Sequence, residues 1–106
     1  SKQIDAGRIL ENIVYLELLR RGYDVYVGKV DEFEVDFVAQ NGKGTTYFQV
    51  ALSVRDEKTL ERELRSLRAI KDHYPKYVVT LDELAAGNVN GVKIVHLADF
   101  LLSDTY

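Results

Sequence analysis

Glu34 and Asp36 stand two positions apart in the run Phe33-Glu34-Val35-Asp36-Phe37-Val38-Ala39. After the turn residues Asn41-Gly42-Lys43-Gly44 comes a second run, Thr46-Tyr47-Phe48-Gln49-Val50-Ala51-Leu52. Side chains alternate between faces along a strand, so Glu34 and Asp36 are expected on one face and Phe33, Val35 and Phe37 on the other, in a core. Asn-Gly chemistry between two alternating runs predicts a hairpin with Asp36 opposite Gln49 and Glu34 opposite Ala51. Glu34, Asp36, Tyr47, Gln49 and Ala51 then share one surface. Carboxylate and amide oxygens are the donors that hard divalent cations take. Like charges two positions apart also repel, so at least one of the pair is expected to find a cation, a metal or a raised pKa.

The elements that must hold this hairpin follow from the rest of the chain. Asp5 is a suitable N-cap for a helix to about Arg21, ended by Gly22 in the left-handed conformation. Its apolar residues, Ile9, Leu10, Ile13, Val14, Leu16, Leu18 and Leu19, surround most of the helix, which predicts cover on more than one side, part of it from a missing domain. Glu17 has Arg20 and Arg21 within a turn and reads as a structural ion pair. Tyr23 to Lys29 alternates as a first strand, with Asp31-Glu32 turning into the acidic strand. Asp56 caps a second helix to about His73, with Leu60, Leu64, Leu67 and Ile70 as its buried stripe. Pro75 stops it. Lys76 to Leu81 is a strand buried on both faces, joined to the hairpin by a right-handed crossover in parallel pairing. Residues 82–91 form a polar connection with one helical turn at Glu83-Leu84-Ala85-Ala86. Val92 to Leu97 is a fifth strand, on which His96 reads as a structural or surface residue. Asp99 caps a short helix, Phe100-Leu101-Leu102.

Composition narrows the chemistry. With 106 residues and 46% of them apolar, the chain suits one domain with one core. Cysteine is absent and only two histidines occur, which excludes disulfides, cysteine-based zinc sites and histidine-rich metal sites. No apolar run has membrane-spanning length and no signal-peptide pattern opens the chain, so the expected setting is cytoplasmic with no membrane partner. The net charge of −3 runs against strong non-specific nucleic-acid binding. A local basic strip remains: Arg55, Lys58, Arg62, Arg65 and Arg68 fall on one arc of the second helix. Two readings stand for it, a solvated face paired with Glu57, Glu61 and Asp72, or a phosphate-tracking surface of Lys58, Arg62, Arg65 and Arg68. No phosphate-loop motif occurs, so this stretch has no recognisable ATP site.

The acidic strand and its neighbour resemble the PD-(D/E)XK nucleases, the restriction-endonuclease-like superfamily that includes archaeal Holliday junction resolvases. There, an Asp on one strand and a Glu-x-Lys on the next bind a divalent metal and activate water. Asp36 matches the Asp, while Gln49 stands at the Glu position and Ala51 at the Lys position. In wording the chain is more similar still to the nuclease-like domain at the C-terminus of bacterial and archaeal AAA-type ATPases. The phrases that carry this are Gly7 to Asn12, Glu34-Val35-Asp36-Phe37, Tyr47 to Ala51, Thr59 to Leu64, Tyr74 to Tyr77 and Ala98 to Leu102. The resemblance implies an α/β, restriction-endonuclease-like fold: an αβββαβ core with a central mixed sheet flanked by helices, an extra C-terminal strand and a short helix. Residues 1–106 would form one such domain, the C-terminal piece of a longer ATPase, which fits a chain that opens at Ser1 and contains no Met.

The same resemblance implies the site residues. Asp36, Gln49 and Glu11 take the catalytic positions, with Lys29 as a displaced general base, and Asp36, Glu34, Glu11 and Gln49 form the metal set. Glu11 has a second reading as the partner of Arg8. No cofactor is expected in this fragment other than Mg²⁺ or Mn²⁺ if the site is live. Gln49 lacks the negative charge that offsets the ion's dehydration, and Ala51 offers nothing to the attacking water. The leading expectation is therefore a catalytically degenerate accessory module that binds DNA or protein, with the in-chain ATPase as first partner. The alternatives are an active metal-dependent DNA endonuclease and a protein-interaction or oligomerisation domain with no nucleic-acid role.

Overall fold

β-branched and aromatic residues crowd the middle of the chain and build one sheet, on which three helices lie. A computed structural model describes residues 2–83 and 86–104. The elements are α1 (Lys2–Arg20), β1 (Asp24–Val30), β2 (Phe33–Asn41), β3 (Gly44–Ala51), α2 (Glu57–Arg68), β4 (Lys76–Thr80), β5 (Gly87–Val89), β6 (Val92–His96) and α3 (Leu97–Leu102). The six-stranded sheet has the order β1-β2-β3-β4-β6-β5. β1–β2, β2–β3 and β5–β6 pair antiparallel, whereas β3–β4 and β4–β6 pair parallel. The chain is thus a mixed α/β fold with an open sheet.

The sheet divides the core into two layers. On one face Leu10, Val14 and Leu18 of α1 and Phe100 of α3 pack over Ala39, Phe48, Val79 and Val95. On the other, Leu64 and Leu67 of α2 pack over Val35, Val78 and Ile94. Successive residues of β4, Val78 and Val79, go one to each layer, and both are fully buried, as its unbroken apolar run predicts. Glu17 holds Arg20 and Arg21, and hydrogen bonds to Arg20 first keep its carboxyl down at about 2. Arg21 carries that anchor across to α3, donating to the Phe100 carbonyl and lying 4.6 Å over the Phe100 ring.

Several local expectations need correction. The alternation of β2 breaks at a bulge: Tyr26 pairs with Val38 but Gly28 with Val35, so Asp36 and Phe37 both face the single Val27. One extra residue reverses the sidedness of the strand. Phe37 therefore packs on the α1 side and Val35 on the α2 side, not together. Gly28 permits the bulge, because a Cβ there would meet Val38 Cγ2 at 2.6 Å and Val35 Cβ at 3.2 Å. α1 begins at Lys2, with Asp5 inside its first turn, and ends with Gly22 at φ +88° as expected.

On α1, Leu10, Val14 and Leu18 are buried against the sheet, while Ile9, Ile13 and Leu16 are exposed. α2 ends at Arg68 rather than His73. Beyond it Asp72 draws the chain into a turn by accepting from the Tyr74 amide, which competes with continuing the helix. The cap of α3 is His96, whose Nδ1 accepts from the Ala98 amide at 3.0 Å, so Asp99 lies inside the helix it was expected to start. Residues 87–89 add a sixth strand to the five expected. The helical turn assigned to Glu83–Ala86 falls partly on residues outside those described. Among the described residues no helix is long and apolar enough to cross a membrane.

Candidate functional site

The β2–β3 ladder runs from Asn41↔Gly44 to Phe37↔Phe48, the register the turn predicts. At the next step, where Asp36 meets Gln49, side chains take over from backbone. The Asp36 amide donates to Gln49 Oε1 at 2.8 Å, and the Val50 amide donates to Asp36 Oδ2 at 2.8 Å. The bulge creates this exchange by pulling β2 out of register with the ladder, leaving two main-chain donors that need acceptors. Gln49 is 4% exposed, and its Nε2 reaches the Glu63 carbonyl of α2 at 3.4 Å. An amide, acceptor at one end and donor at the other, ties strand to strand and sheet to helix, which a carboxylate at this position could not do.

Asp36 and Gln49 open onto a cleft of ≈ 430 Å³ between β2 and α2, which Glu63, Glu34, Lys29 and Arg62 also line. The predicted shared face is therefore real for Asp36, Tyr47, Gln49 and Ala51, but α2 covers it: Tyr47 and Ala51 pack against the α2-side core. Burial pushes the Asp36 carboxyl up to about 6, against the pull of the Val50 amide and with the charges of Glu11 and Glu34 adding to the rise. Glu63 goes further. Burial and then the Asp36 charge raise it to about 7, and Arg62, at 3.8 Å and largely exposed, offsets only part of that. Two carboxyls that titrate near neutrality thus face each other across the β2–α2 seam.

Glu63 was not among the expected site residues. Its signal lay in the helix phase, since position 63 falls beside the Leu60-Leu64-Leu67 stripe and must be part-buried. Glu11 lies elsewhere: it lines a separate depression of ≈ 250 Å³ with Arg8, Tyr15 and Phe37, and acts on Asp36 and Glu63 through its charge. Lys29 does line the carboxylate cleft, next to Glu34 in the β1–β2 register. Ala51 pairs with Thr80 and brings no charge.

Among the described residues no group of three or more Asp, Glu or His is placed to hold a metal ion. The Gln49 carbonyl oxygen and one Asp36 oxygen already accept main-chain hydrogen bonds. The basic arc is divided as well. Arg55 holds Asp82 at 3.3 Å, Arg68 holds Glu61 at 3.1 Å and Arg62 faces the carboxylate cleft, whereas Lys58 and Arg65 line a different groove.

Residues 6–100 match the family described as "Domain of unknown function (DUF4143)", and the chain belongs to that family. It is 42% identical over 93 residues to an uncharacterized protein of Haemophilus influenzae, an alignment that covers 88% of this chain and 22% of the relative. It is 41% identical over 71 residues to the uncharacterized protein MJ1544 of Methanocaldococcus jannaschii, covering 62% of this chain and 16% of the relative. The chain thus spans no more than about a fifth of the length of these curated relatives. No solved structure matches it.

Proposed function

We propose that this domain is a binding module on a restriction-endonuclease-like scaffold whose hydrolytic site is degenerate, acting in the cytoplasm as an accessory domain of an AAA-type ATPase. Support for the scaffold comes from the element order, one helix, three antiparallel strands, a second helix and a parallel strand, and from Asp36 and Gln49 meeting on one face. The length of the relatives beyond the matched stretch leaves room for a motor domain in the same polypeptide. The single observation that carries the degenerate reading is the reciprocal bonding of Asp36 and Gln49 to the main chain. Oxygens that would ligate a metal act instead as ties between β2 and β3, and Ala51 supplies no ammonium group to an attacking water.

Incubation of the purified domain with single-stranded, duplex and branched DNA in Mn²⁺ tests this reading. No cleavage is expected. Cleavage that disappears in Asp36→Asn would overturn it in favour of a second reading, an active endonuclease. Lys29 is the observation that favours that second reading, because it lines the cleft of Asp36 and Glu63, where a lysine displaced from position 51 would act as general base in its neutral amine form. Loss of such cleavage in Lys29→Gln as well would fix that role.

A further inference from the structure

α2 has a second groove on the side away from the carboxylate cleft. It runs between α2 and the β5–β6 hairpin in two depressions of ≈ 680 Å³ and ≈ 570 Å³, and Arg68 lines both. Leu60, Leu64 and Leu67 of α2, Ile70 just beyond its end, and Val89 and Val92 of the hairpin give it apolar lining. Lys58, Arg65, Arg68, Lys71 and Lys76 surround these. Only Glu57, Glu61 and Asp72 oppose them, so the groove is a cationic region on a chain of net charge −3. Asp72 pairs with Lys76 at 2.9 Å and Glu61 with Arg68 at 3.1 Å, so the surplus of positive charge rests on Lys58, Arg65 and Lys71 against Glu57.

Two features say what such a groove lacks. Arg68 Nε is buried without a hydrogen-bond partner, although its Nη1 holds Glu61. The Arg68 side chain is nonetheless 33% exposed, and its guanidinium fork is shaped for a carboxylate. β5 is also the last strand of the sheet: β6 pairs with one side of it, and among the described residues no strand pairs with the other. An unpaired edge beside an apolar floor accepts an extended chain, whose alternate side chains reach the floor while the others face the rim. A nucleic-acid strand would ask for stacking platforms, and of the lining side chains only Tyr74 and His73 have rings.

The geometry points to a docking groove for an extended peptide segment that alternates acidic and apolar residues, added as a strand beside β5 with one carboxylate set against Arg68. The groove is separate from the carboxylate cleft, so this assignment and the degenerate-nuclease reading stand or fall independently.

Fluorescence anisotropy with a short, capped, labelled peptide of alternating glutamate and valine tests it. Saturable binding is expected, weakened about tenfold by Arg68→Gln and by Arg65→Gln, the loss of one charge-assisted contact in each case. Methylating the peptide amides that face β5 should abolish binding without altering the protein at all. A lysine–valine peptide should not bind. Absence of saturation, equal binding of the N-methylated or lysine peptide, or tighter binding of an oligothymidine strand at the same groove would each overturn the assignment.

Discussion

Replacing Glu63 by Gln should make the domain more stable at alkaline pH and leave it almost unchanged at acid pH. A carboxyl raised from 4.5 to about 7 by burial and by the Asp36 charge favours folding only while it holds its proton. Its contribution is complete below the unfolded value of 4.5 and is lost as pH rises through about 7. A rise of that size corresponds to about 3 kcal/mol, at about 1.4 kcal/mol for each pH unit. Solvent screening reduces this little, because the Glu63 side chain is only 15% exposed.

Asp36, raised from 3.8 to about 6, pulls in the same direction over a slightly lower pH range. The two repel, so their contributions do not simply add. Urea unfolding followed by far-ultraviolet circular dichroism, at steps between about pH 5 and about pH 8, reads the effect directly. The wild type should lose stability across that interval. Glu63→Gln should lose less, ending about 2–3 kcal/mol more stable than wild type at the upper limit. If the variant and wild type fall in parallel, Glu63 is not a strained carboxyl and the seam between β2 and α2 does not store this repulsion.

Other perturbations probe the frame around the site. Gly28→Ala should destabilise by about 1–3 kcal/mol in the same unfolding assay, because its methyl would enter the space of Val38 and Val35 at the bulge. Asp82→Ala should cost about 2 kcal/mol: burial opposes its charge, but the Val54 amide, the Ser53 hydroxyl and Arg55 hold the carboxyl below its ordinary range, so wild type should also lose this stability as pH falls through the acid range. His96→Ala should cost about 1 kcal/mol through the lost cap of α3, and Asp99→Ala less, the order opposite to that expected if Asp99 were the cap.

The hairpin register could be read from the sequence because the turn residues between two alternating runs leave one pairing, and Asp36 does meet Gln49. The bulge could not. Its only trace is Gly28, on the neighbouring strand, and a local pattern cannot report which residue of the partner is doubled. α2 was recognisable from Leu60, Leu64 and Leu67, but its end depended on how Asp72 would bond, a choice made with Tyr47, Tyr74 and Lys76 brought in by the fold. β5 escaped notice because three residues, Gly87-Asn88-Val89, carry no alternation and become a strand only beside β6. Charge on the first helix and on α2 was visible throughout. What the linear sequence concealed was that Glu63, not Glu11, would share the cleft with Asp36.

The central claim is that Asp36 and Gln49 hold strands together rather than a cation. Calorimetric titration of Mn²⁺ into the wild type and into Asp36→Asn at neutral pH measures this most directly. The geometry predicts no saturable heat from either protein up to millimolar metal. Tight, stoichiometric binding by the wild type that vanishes in Asp36→Asn would contradict it.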